Sequence, residues 1–354
     1  MCNVIEKETA SKIELALGRR LPFFAVAQPG ETSLNFYIQD FTENLTGAQK
    51  SMTLSPFDIS RHKAVTINGI TATVKQIADL PEIGENEQNR PNLSSISHAD
   101  YCNSIESIVK HLGGCTSSSK VVISRVMDAS TTQNVTSVAA KYFKGFENTL
   151  RYIWYHPLTG LWLGATPELL LDATNPQKLI SMSLAGTRPA TTTGEWDVKN
   201  RREHDIVTRF ISTVSGEYCE TVELGDEADV AFGQIKHLCT PVYGYNPKEV
   251  GVDSLFDRLS PTPAVSGYPR ETAMKLIDKF EQHDRCYYAG YIRIDNRAWV
   301  NLRCARVEQS GDTFNYKIFS GGGITALSSP DDEWRETSAK ANALLKAISG
   351  SFPS

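Results

Sequence analysis

Two glutamates near the C-terminus have the residue type and spacing of a site for a hard cation. Glu333 and Glu336 stand three residues apart in the segment SPDDEWRETSAK, and Lys340 follows one helical turn later. In a helix these positions share one face, so both carboxylates would point the same way. Carboxylate oxygens suit Mg²⁺. The competing interpretation is a capped, solvated helix, and this segment taken alone favours it.

Three consecutive glycines, Gly321, Gly322 and Gly323, follow an apolar stretch that predicts a strand. Their backbone amides can approach a ligand with no side chain in between, which suits a carboxylate or a phosphate. Ser329 and Pro330 then have the residue types of an N-cap and a first helical position. The sequence therefore predicts a strand, a glycine segment that binds an anion, and a helix that begins with acidic residues.

Groups that could transfer protons or hold a metal lie in three other segments. Lys120 opens KVVISR, which reads as a buried strand. Glu168 is the only acid of GATPELLL, where a strand is predicted to turn into a short helix that begins at Pro167. There it is either a first-turn carboxylate or a general acid that burial keeps protonated. Glu203 opens an amphipathic helix, where it is either solvated or turned inward as a metal ligand.

Three more polar side chains lie in predicted strands or at their ends. His237 falls in an apolar strand expected over residues 230–242, where a core histidine with hydrogen-bond partners is the more common outcome. Arg303 is predicted inside a strand, and such an arginine needs an anionic partner, either a protein carboxylate or a substrate. Thr187 follows a glycine turn at the end of another strand, which alone is a weak signal.

Composition excludes several classes of protein. A net charge of -5 over 354 residues argues against a general surface for nucleic acids or anionic membranes. The seven cysteines contain no CxxC pair, which disfavours a zinc ribbon or a disulfide framework and fits reduced thiols. No stretch matches a signal peptide or a membrane span. We therefore expect a cytoplasmic protein with no nucleic-acid and no membrane partner.

The pattern of elements indicates a mixed fold. Helices and strands alternate without a repeat period or a strict βαβ series, so α+β with largely antiparallel sheets is expected. The elements predicted in the first third are a helix over 4–17, strands over 23–27, 35–38 and 64–74, a long polar loop or lid over 81–95, and a helix over 97–112.

The motifs, in this order, resemble those of the chorismate-utilising enzymes, the family of isochorismate, salicylate, anthranilate and aminodeoxychorismate synthases. The resemblance implies one large domain over residues 1–354, with two antiparallel sheets packed between outer helices, as in component I of anthranilate synthase. It implies a variable N-terminal part over 1–95, a catalytic region over 115–350, and a Mg²⁺ site in a cleft. The similar stretches, within about residues 118–343, are KVVISR, GATPELL, LAGTRP, REH, HL, PTPAVSGYPR, YAG, LR, GGGI and EWRET.

Within this family, the chain is most similar to the isochorismate synthases. Lys120 stands where isochorismate and salicylate synthases have a lysine base and anthranilate synthases have glutamine. Ala185 stands where aminodeoxychorismate synthases have a lysine that attacks the substrate. The resemblance implies a hydroxymutase that isomerises chorismate to isochorismate for menaquinone or siderophore biosynthesis. A salicylate synthase and a non-catalytic chorismate-binding protein are the alternatives.

The resemblance also implies a role for each candidate residue. Lys120 would remove a proton from the water that attacks C2, and Glu168 would protonate the departing C4 hydroxyl. We expect a monomer that needs Mg²⁺ and no glutamine amidotransferase subunit. The implied metal ligands are Glu203, Glu333 and Glu336, and the implied substrate-binding residues are Thr187, His237, Tyr288, Arg303, Gly321, Gly322, Gly323 and Lys340.

Several positions, Leu327 among them, depart from the family pattern, and two of them bear on the site. Asn200 stands where relatives have an acidic residue, so a supporting carboxylate is missing there. Arg293 replaces a glycine, which predicts an altered pocket wall. A non-catalytic chorismate binder is favoured if these two residues disturb the site.

Overall fold

The structure, a computed structural model, describes residues 4–43, 45–84, 91–115, 119–248 and 251–350. Eight helices lie in these ranges: α1 (Lys7–Gly18), α2 (Val74–Asp79), α3 (His98–Gly113), α4 (Val135–Phe143), α5 (Val198–Tyr218), α6 (Val252–Leu259), α7 (Arg270–Phe280) and α8 (Pro330–Ser349). Within the same ranges, no helix combines the length and the apolar character that crossing a membrane requires.

The strands of the described residues are β1 (Phe23–Ala27), β2 (Asn35–Gln39), β3 (Gln49–Ser55), β4 (Val65–Ile70), β5 (Lys120–Thr131), β6 (Leu150–His156), β7 (Gly160–Thr166), β8 (Leu169–Asn175), β9 (Lys178–Pro189), β10 (Cys219–Leu224), β11 (Ala228–Phe232), β12 (Ile235–Pro247), β13 (Gly267–Tyr268), β14 (Tyr291–Ile294), β15 (Arg297–Val300), β16 (Cys304–Ser310) and β17 (Thr313–Ile324).

Antiparallel pairing joins these strands into one continuous ribbon. Its order is β13, β5, β17, β16, β7, β6, β1, β2, β4, β3, β14, β15, β8, β9 and β12, and β12 also pairs with β10 and β11. Helix α5 packs on β9 and β12, and α8 packs on β5 and β17. The expected α+β fold of antiparallel sheets and outer helices is confirmed. Hydrogen bonds between strands join the sheets into one continuous sheet.

Two buried apolar clusters hold the helices on this ribbon. One joins α1, α2, α4 and α8 to β1, β2, β6, β7, β16 and β17, and the other contains the buried faces of α3, α5, α6 and α7. Ala341, Leu344 and Ile348 place the C-terminal half of α8 in the first cluster, at helical spacing. This anchor leaves the first two turns of α8, which carry Glu333 and Glu336, to face β17 and the interior of the fold.

Sequence patterns located four of the helices correctly. The predicted helices at α1, α3, α5 and α8 are confirmed within a few residues, and Ser97 caps α3 as its residue type suggests. The strand predicted over 64–74 is wrong beyond Ile70, because Thr73 forms a capping box with Gln76 and begins α2. Of the loop predicted over 81–95, residues 85–90 lie outside the described residues.

Three local predictions around the site are wrong. The short helix expected after Pro167 is strand β8, because its backbone pairs with β15, and the Thr166 hydroxyl donates to the carbonyl of Val300 instead of capping a helix. The strand expected over 230–242 is a hairpin of β11 and β12 that turns at Gly233. Arg303 lies in the connection between β15 and β16, with a φ of +51°, and not inside a strand.

Candidate active site

A cavity of about 680 Å³, its open mouth included, lies where the two ends of the ribbon face each other. Strands β5 and β17 from one end and β9 and β12 from the other form its walls, with α5, α8 and the turn between β7 and β8. Gly322 and Glu333 are the predicted site residues that do not line it. The predicted residues that do are Lys120, Glu168, Thr187, Glu203, His237, Tyr288, Arg303, Gly321, Gly323, Glu336 and Lys340.

The three consecutive glycines lie inside β17, not in a turn after it. Val122 of β5 stands opposite Gly323 but donates its N–H to the carbonyl oxygen of Ser266, in the loop before β13. Because pairs alternate along an antiparallel ladder, Gly321 and Gly323 occupy non-hydrogen-bonded positions, and their N–H groups point away from β5. The Gly322 amide belongs to the ladder. Of the three amides expected to bind an anion, those of Gly321 and Gly323 therefore have the required orientation.

The glycines also let two carboxylates approach β17. A Cβ atom at Gly323 would lie 2.5 Å from Oε2 of Glu203, and one at Gly322 would lie 2.8 Å from Oε2 of Glu333. Both separations are far shorter than non-bonded contacts of real side chains, so any larger residue would displace a glutamate. The glycine segment thus fixes where the carboxylates from α5 and α8 meet.

Two lysines and two glutamates form a buried ionic cluster at this point. Nζ of Lys199 lies 2.6 Å from Oε1 of Glu333 and 3.5 Å from Oε1 of Glu203. Nζ of Lys120 lies 3.5 Å from Oε2 of Glu203. Lys199 therefore bridges two of the predicted metal ligands. Sequence reasoning missed this residue, although its position one turn before Glu203 on α5 was an available signal.

Burial and neighbouring charges act differently on the members of this cluster. Burial lowers the pKa of Lys120, and the attraction of Glu203 only partly opposes it. Burial alone would also lower the pKa of Lys199, but the negative charges of Glu203 and Glu333 outweigh it and raise that pKa. Lys199 is thus a firmly charged ammonium group, whereas Lys120 is closer to its neutral amine form.

The carboxylates of this cluster fit a hard divalent cation. Burial raises the pKa of Glu333, and repulsion by Glu336 adds to the rise. Oε2 of Glu333 is buried and has no hydrogen-bond partner among the described residues. Three converging glutamates, counting Glu203, offer only oxygen ligands, and cationic charge relieves their mutual repulsion. The residues present therefore suit Mg²⁺, and in the structure Lys199 supplies that positive charge.

Glu168 faces the cavity from the turn between β7 and β8. It is 3% exposed, and its Oε1 has no hydrogen-bond partner within the described part of the chain. Burial raises its pKa to about 8, against the opposing charges of Lys120, Lys340 and Arg303. A carboxyl group that keeps its proton at neutral pH and has an unpaired oxygen can act as a general acid.

Two cationic side chains bring positive charge to the same cavity. Nζ of Lys340 lies 2.7 Å from Oε1 of Glu336 and 3.0 Å from the carbonyl oxygen of Gly321. Arg303 donates to Nε2 of His237 at 3.1 Å and forms no ion pair with any described carboxylate. Its guanidinium group is therefore available to an anionic ligand, which is the partner that its type and burial require.

His237 is a neutral histidine that orients its neighbours. Its Nδ1 lies 2.7 Å from the carbonyl oxygen of Gly186, so Nδ1 carries the hydrogen and Nε2 accepts from Arg303. Burial and the charges of Arg303 and Lys340 together lower its pKa to about 3. The histidine thus has the hydrogen-bond partners expected of a core residue, and it also lines the cavity.

The two departures from the family pattern leave the cavity intact. Oδ1 of Asn200 accepts the N–H of Thr187 at 2.9 Å, a bond that a carboxylate oxygen could equally make. Arg293 pairs with Asp253 of α6 at 2.7 Å and lies over the ring of Phe256. The expectation that Arg293 alters the pocket wall is wrong, because its side chain is held on α6 instead of lining the cavity.

Comparison with known proteins agrees with this fold and this cavity. Residues 37–349 match the family model described as chorismate binding enzyme, and the chain belongs to this family. Among curated relatives, the isochorismate synthase EntC of Escherichia coli (strain K12) is 30% identical over an alignment of 247 residues, and the alignment covers 65% of this chain and 62% of EntC. The chain thus aligns with less than two thirds of that relative's length.

Solved structures show the same architecture. The menaquinone-specific isochorismate synthase MenF from Escherichia coli aligns over 97% of this chain and 92% of its own, with a TM-score of 0.73 and 21% identity. Component I of anthranilate synthase from Streptococcus pneumoniae TIGR4 aligns over 91% of this chain and 90% of its own, with a TM-score of 0.64 and 16% identity. At these identities the likeness establishes the fold.

Proposed function

We propose that the protein is an isochorismate synthase, a Mg²⁺-dependent hydroxymutase that isomerises chorismate. One observation carries the proposal: Lys120 and Glu168 line one cavity, and burial favours the neutral amine of the first and the neutral acid of the second. A base and an acid at neutral pH are the pair that this reaction needs. Membership of the chorismate-binding family and relatives named isochorismate synthases support chorismate as substrate.

The cavity offers binding groups for a dianionic ring. Chorismate carries two carboxylates, and Arg303 and Lys340 supply positive charge at the cavity wall. The N–H groups of Gly321 and Gly323 supply further donors. Thr187 and His237 would shape the ring pocket, and Tyr288 would contact a carboxylate. Fixed donors of this kind hold the ring so that its reacting carbons face the acid and the base.

Proton transfer then requires one step on each side of the ring. As water forms a bond to C2, Lys120 takes its proton and becomes an ammonium group. The ring electrons shift, the bond from C4 to its oxygen breaks, and Glu168 gives its proton to the departing hydroxyl, which leaves as water. Each such group contributes about 10²- to 10⁴-fold in rate. Proton exchange with solvent restores both residues.

Glu203, Glu333 and Glu336 would hold Mg²⁺. When bound, the ion would supply two positive charges that bind a substrate carboxylate and offset the repulsion between it and the acidic ligands. Lys199 holds Glu203 and Glu333 together in the structure, so it keeps the ligands close to one another.

The cavity also bears on the alternatives. Ala185 lines it, so no amine is offered there for covalent attack on the ring. Asn200 and Arg293 leave it undisturbed, which disfavours a non-catalytic binder. We propose that residues 115–350 form the catalytic region of one domain, which acts in the cytoplasm as a monomer without an amidotransferase subunit. Its product would serve menaquinone or siderophore biosynthesis.

Incubation of the purified protein with chorismate and Mg²⁺ tests this proposal. Chromatography and NMR of the products should show isochorismate, EDTA should stop turnover, and added Mg²⁺ should restore it. Lys120→Ala should lower kcat by about 10²-fold or more with folding intact. Salicylate formed without an added lyase would identify the salicylate synthase alternative. Bound but unconverted chorismate would identify a non-catalytic binder.

A further inference from the structure

The cavity that Lys120 and Glu168 line is the proposed substrate cavity. A second polar cavity, of about 390 Å³ with its mouth included, shares no lining residue with it. His62, Asp284 and Cys286 line it, and one ligand atom from each of these three lies within 4.8 Å of the other two. Nε2 of His62 is 2.8 Å from Oδ2 of Asp284. These three atoms are an imidazole nitrogen, a carboxylate oxygen and a thiol sulfur.

We propose that His62, Asp284 and Cys286 bind one divalent ion of the zinc type. Nitrogen, oxygen and sulfur ligands together suit Zn²⁺, whereas Mg²⁺ prefers oxygen alone. Three protein ligands leave a fourth position for water on the side of the cavity. The site is separate from the carboxylates that are assigned to Mg²⁺, and it does not depend on the proposed reaction.

The backbone around Cys286 is shaped to present its thiol. Cys286 has a φ of +49°, a left-handed conformation that few residues other than glycine adopt. Asp284 maintains this turn, because its Oδ1 accepts the N–H of Cys286 at 2.7 Å while its Oδ2 faces His62. One carboxylate thus fixes the cysteine with one oxygen and offers the other to the cavity. Such unfavourable conformations concentrate at functional sites.

The charges around the site favour a cation. The Asp284 carboxylate is the acidic group of the three, and its Oδ2 lies beside His62 in the cavity. Binding of the ion would displace the thiol proton of Cys286, which leaves to solvent as the sulfur–metal bond forms. The two arginines that line the cavity are already paired, Arg61 with Asp278 at 2.9 Å and Arg285 with Glu281.

A metal ion here would also brace the substrate cavity. Arg285 lies between two of the ligands and donates to the carbonyl oxygens of Val122 and Val265 at 2.7 Å each. Both valines line the substrate cavity. Clamping Asp284 and Cys286 would therefore limit the motion of one wall of that cavity.

The chain contains a natural control for this site. His98, Cys102 and Asp331 also bring one ligand atom each within 4.8 Å of one another, where α3 meets the start of α8. His98 and Asp331 are exposed and Cys102 is half-buried, and no backbone N–H of the described residues donates to the Asp331 carboxylate. Substitution of Cys286 and of Cys102 therefore distinguishes a preorganised metal site from surface residues that are close to one another by chance.

Titration of the full chain with Co²⁺, in excess Mg²⁺ and under anaerobic conditions, tests the proposal. A cysteine–Co²⁺ charge-transfer band should appear at one Co²⁺ per chain, and Zn²⁺ should abolish it. The band should persist in Cys102→Ser and disappear in Cys286→Ser. His62→Ala, a change at a half-buried position, should weaken Co²⁺ binding by about tenfold or more. The proposal is overturned if no band forms, if the band survives Cys286→Ser, or if Cys102→Ser removes it.

Discussion

Glu281 and Glu168 are both buried glutamates, but their surroundings are opposite. Glu281 accepts hydrogen bonds from Arg285 and from the N–H and hydroxyl of Ser124 on β5. Burial alone would raise its pKa, but the charge of Arg285 and these bonds outweigh it and lower the pKa. Glu168 lacks such partners, keeps one oxygen unpaired, and has a pKa raised to about 8.

The difference separates a carboxylate that supports the fold from one that is available for chemistry. A buried charge with a full set of partners stabilises its neighbours, and losing one partner is costly. A buried carboxyl without partners stays protonated and is open to a ligand. Both oxygens of Glu281 are thus paired, whereas the substrate cavity keeps one oxygen of Glu168 unpaired and Arg303 without a described carboxylate partner.

Glu168→Gln should produce the largest loss of activity. The amide keeps the shape of the side chain but cannot give a proton to the C4 oxygen, so kcat should fall by about 10²- to 10⁴-fold. The thermal unfolding midpoint at pH 7 should rise, because unfolding of the unchanged protein lets Glu168 ionise, whereas the amide gains no such ionisation in the unfolded chain. Steady-state kinetics with chorismate and calorimetry measure both effects. A rate near that of the unchanged protein would remove Glu168 from the mechanism.

Glu281→Gln should have the reverse effect, on stability and not on chemistry. The amide leaves the guanidinium group of Arg285 buried without its counter-charge, which costs about 3–5 kcal/mol of unfolding free energy. Denaturant unfolding measures this loss, and kcat per folded molecule should stay within a few-fold of the unchanged value. If kcat falls as far as in Glu168→Gln while the protein stays folded, the comparison between the two glutamates fails.

The dependence of rate on pH should reflect the proton on Glu168. With a pKa of about 8, the acid is present below that pH, so kcat/KM should decline about tenfold per pH unit above it. Between pH 4.5 and about 8 the folded protein keeps the Glu168 proton, whereas the unfolded chain, in which the pKa of this group is 4.5, has lost it. Stability should therefore fall as pH rises from 4.5 to 8. Both trends should be absent in Glu168→Gln, and a kcat/KM that stays flat to pH 10 would contradict them.

Lys199→Met should have a smaller effect, on metal binding. Without the ammonium group, Glu203 and Glu333 lose their shared counter-charge, so the Mg²⁺-free protein should be less stable and added Mg²⁺ should raise its unfolding midpoint more than in the unchanged protein. Lys275→Met is the matched control, since Lys275 pairs with Glu271 on an exposed helix face. Equal Mg²⁺ shifts in the two variants would show that Lys199 does not compensate the cluster.

Residue types and local periodicity predicted much of this molecule. The helices that carry Glu203 and Glu336 follow from apolar spacing and caps, and the ordered motifs indicated the family. The features that the sequence did not predict depend on pairing between strands that are distant in the chain. The position of β8 depends on β15, which is more than a hundred residues away in the chain, and the Gly322 amide belongs to a ladder with β5. The pairing of Lys199 with Glu333 became apparent only when α5 and α8 were brought together.

The ionisation of Glu168 in the folded, Mg²⁺-free protein tests the central claim most directly. NMR of protein labelled with ¹³C at the glutamate carboxyl groups, compared with Glu168→Gln, identifies its resonance and follows it with pH. The account predicts a midpoint near pH 8. A midpoint near 4.5, the ordinary value for glutamate, would mean that the cavity does not keep an acid protonated.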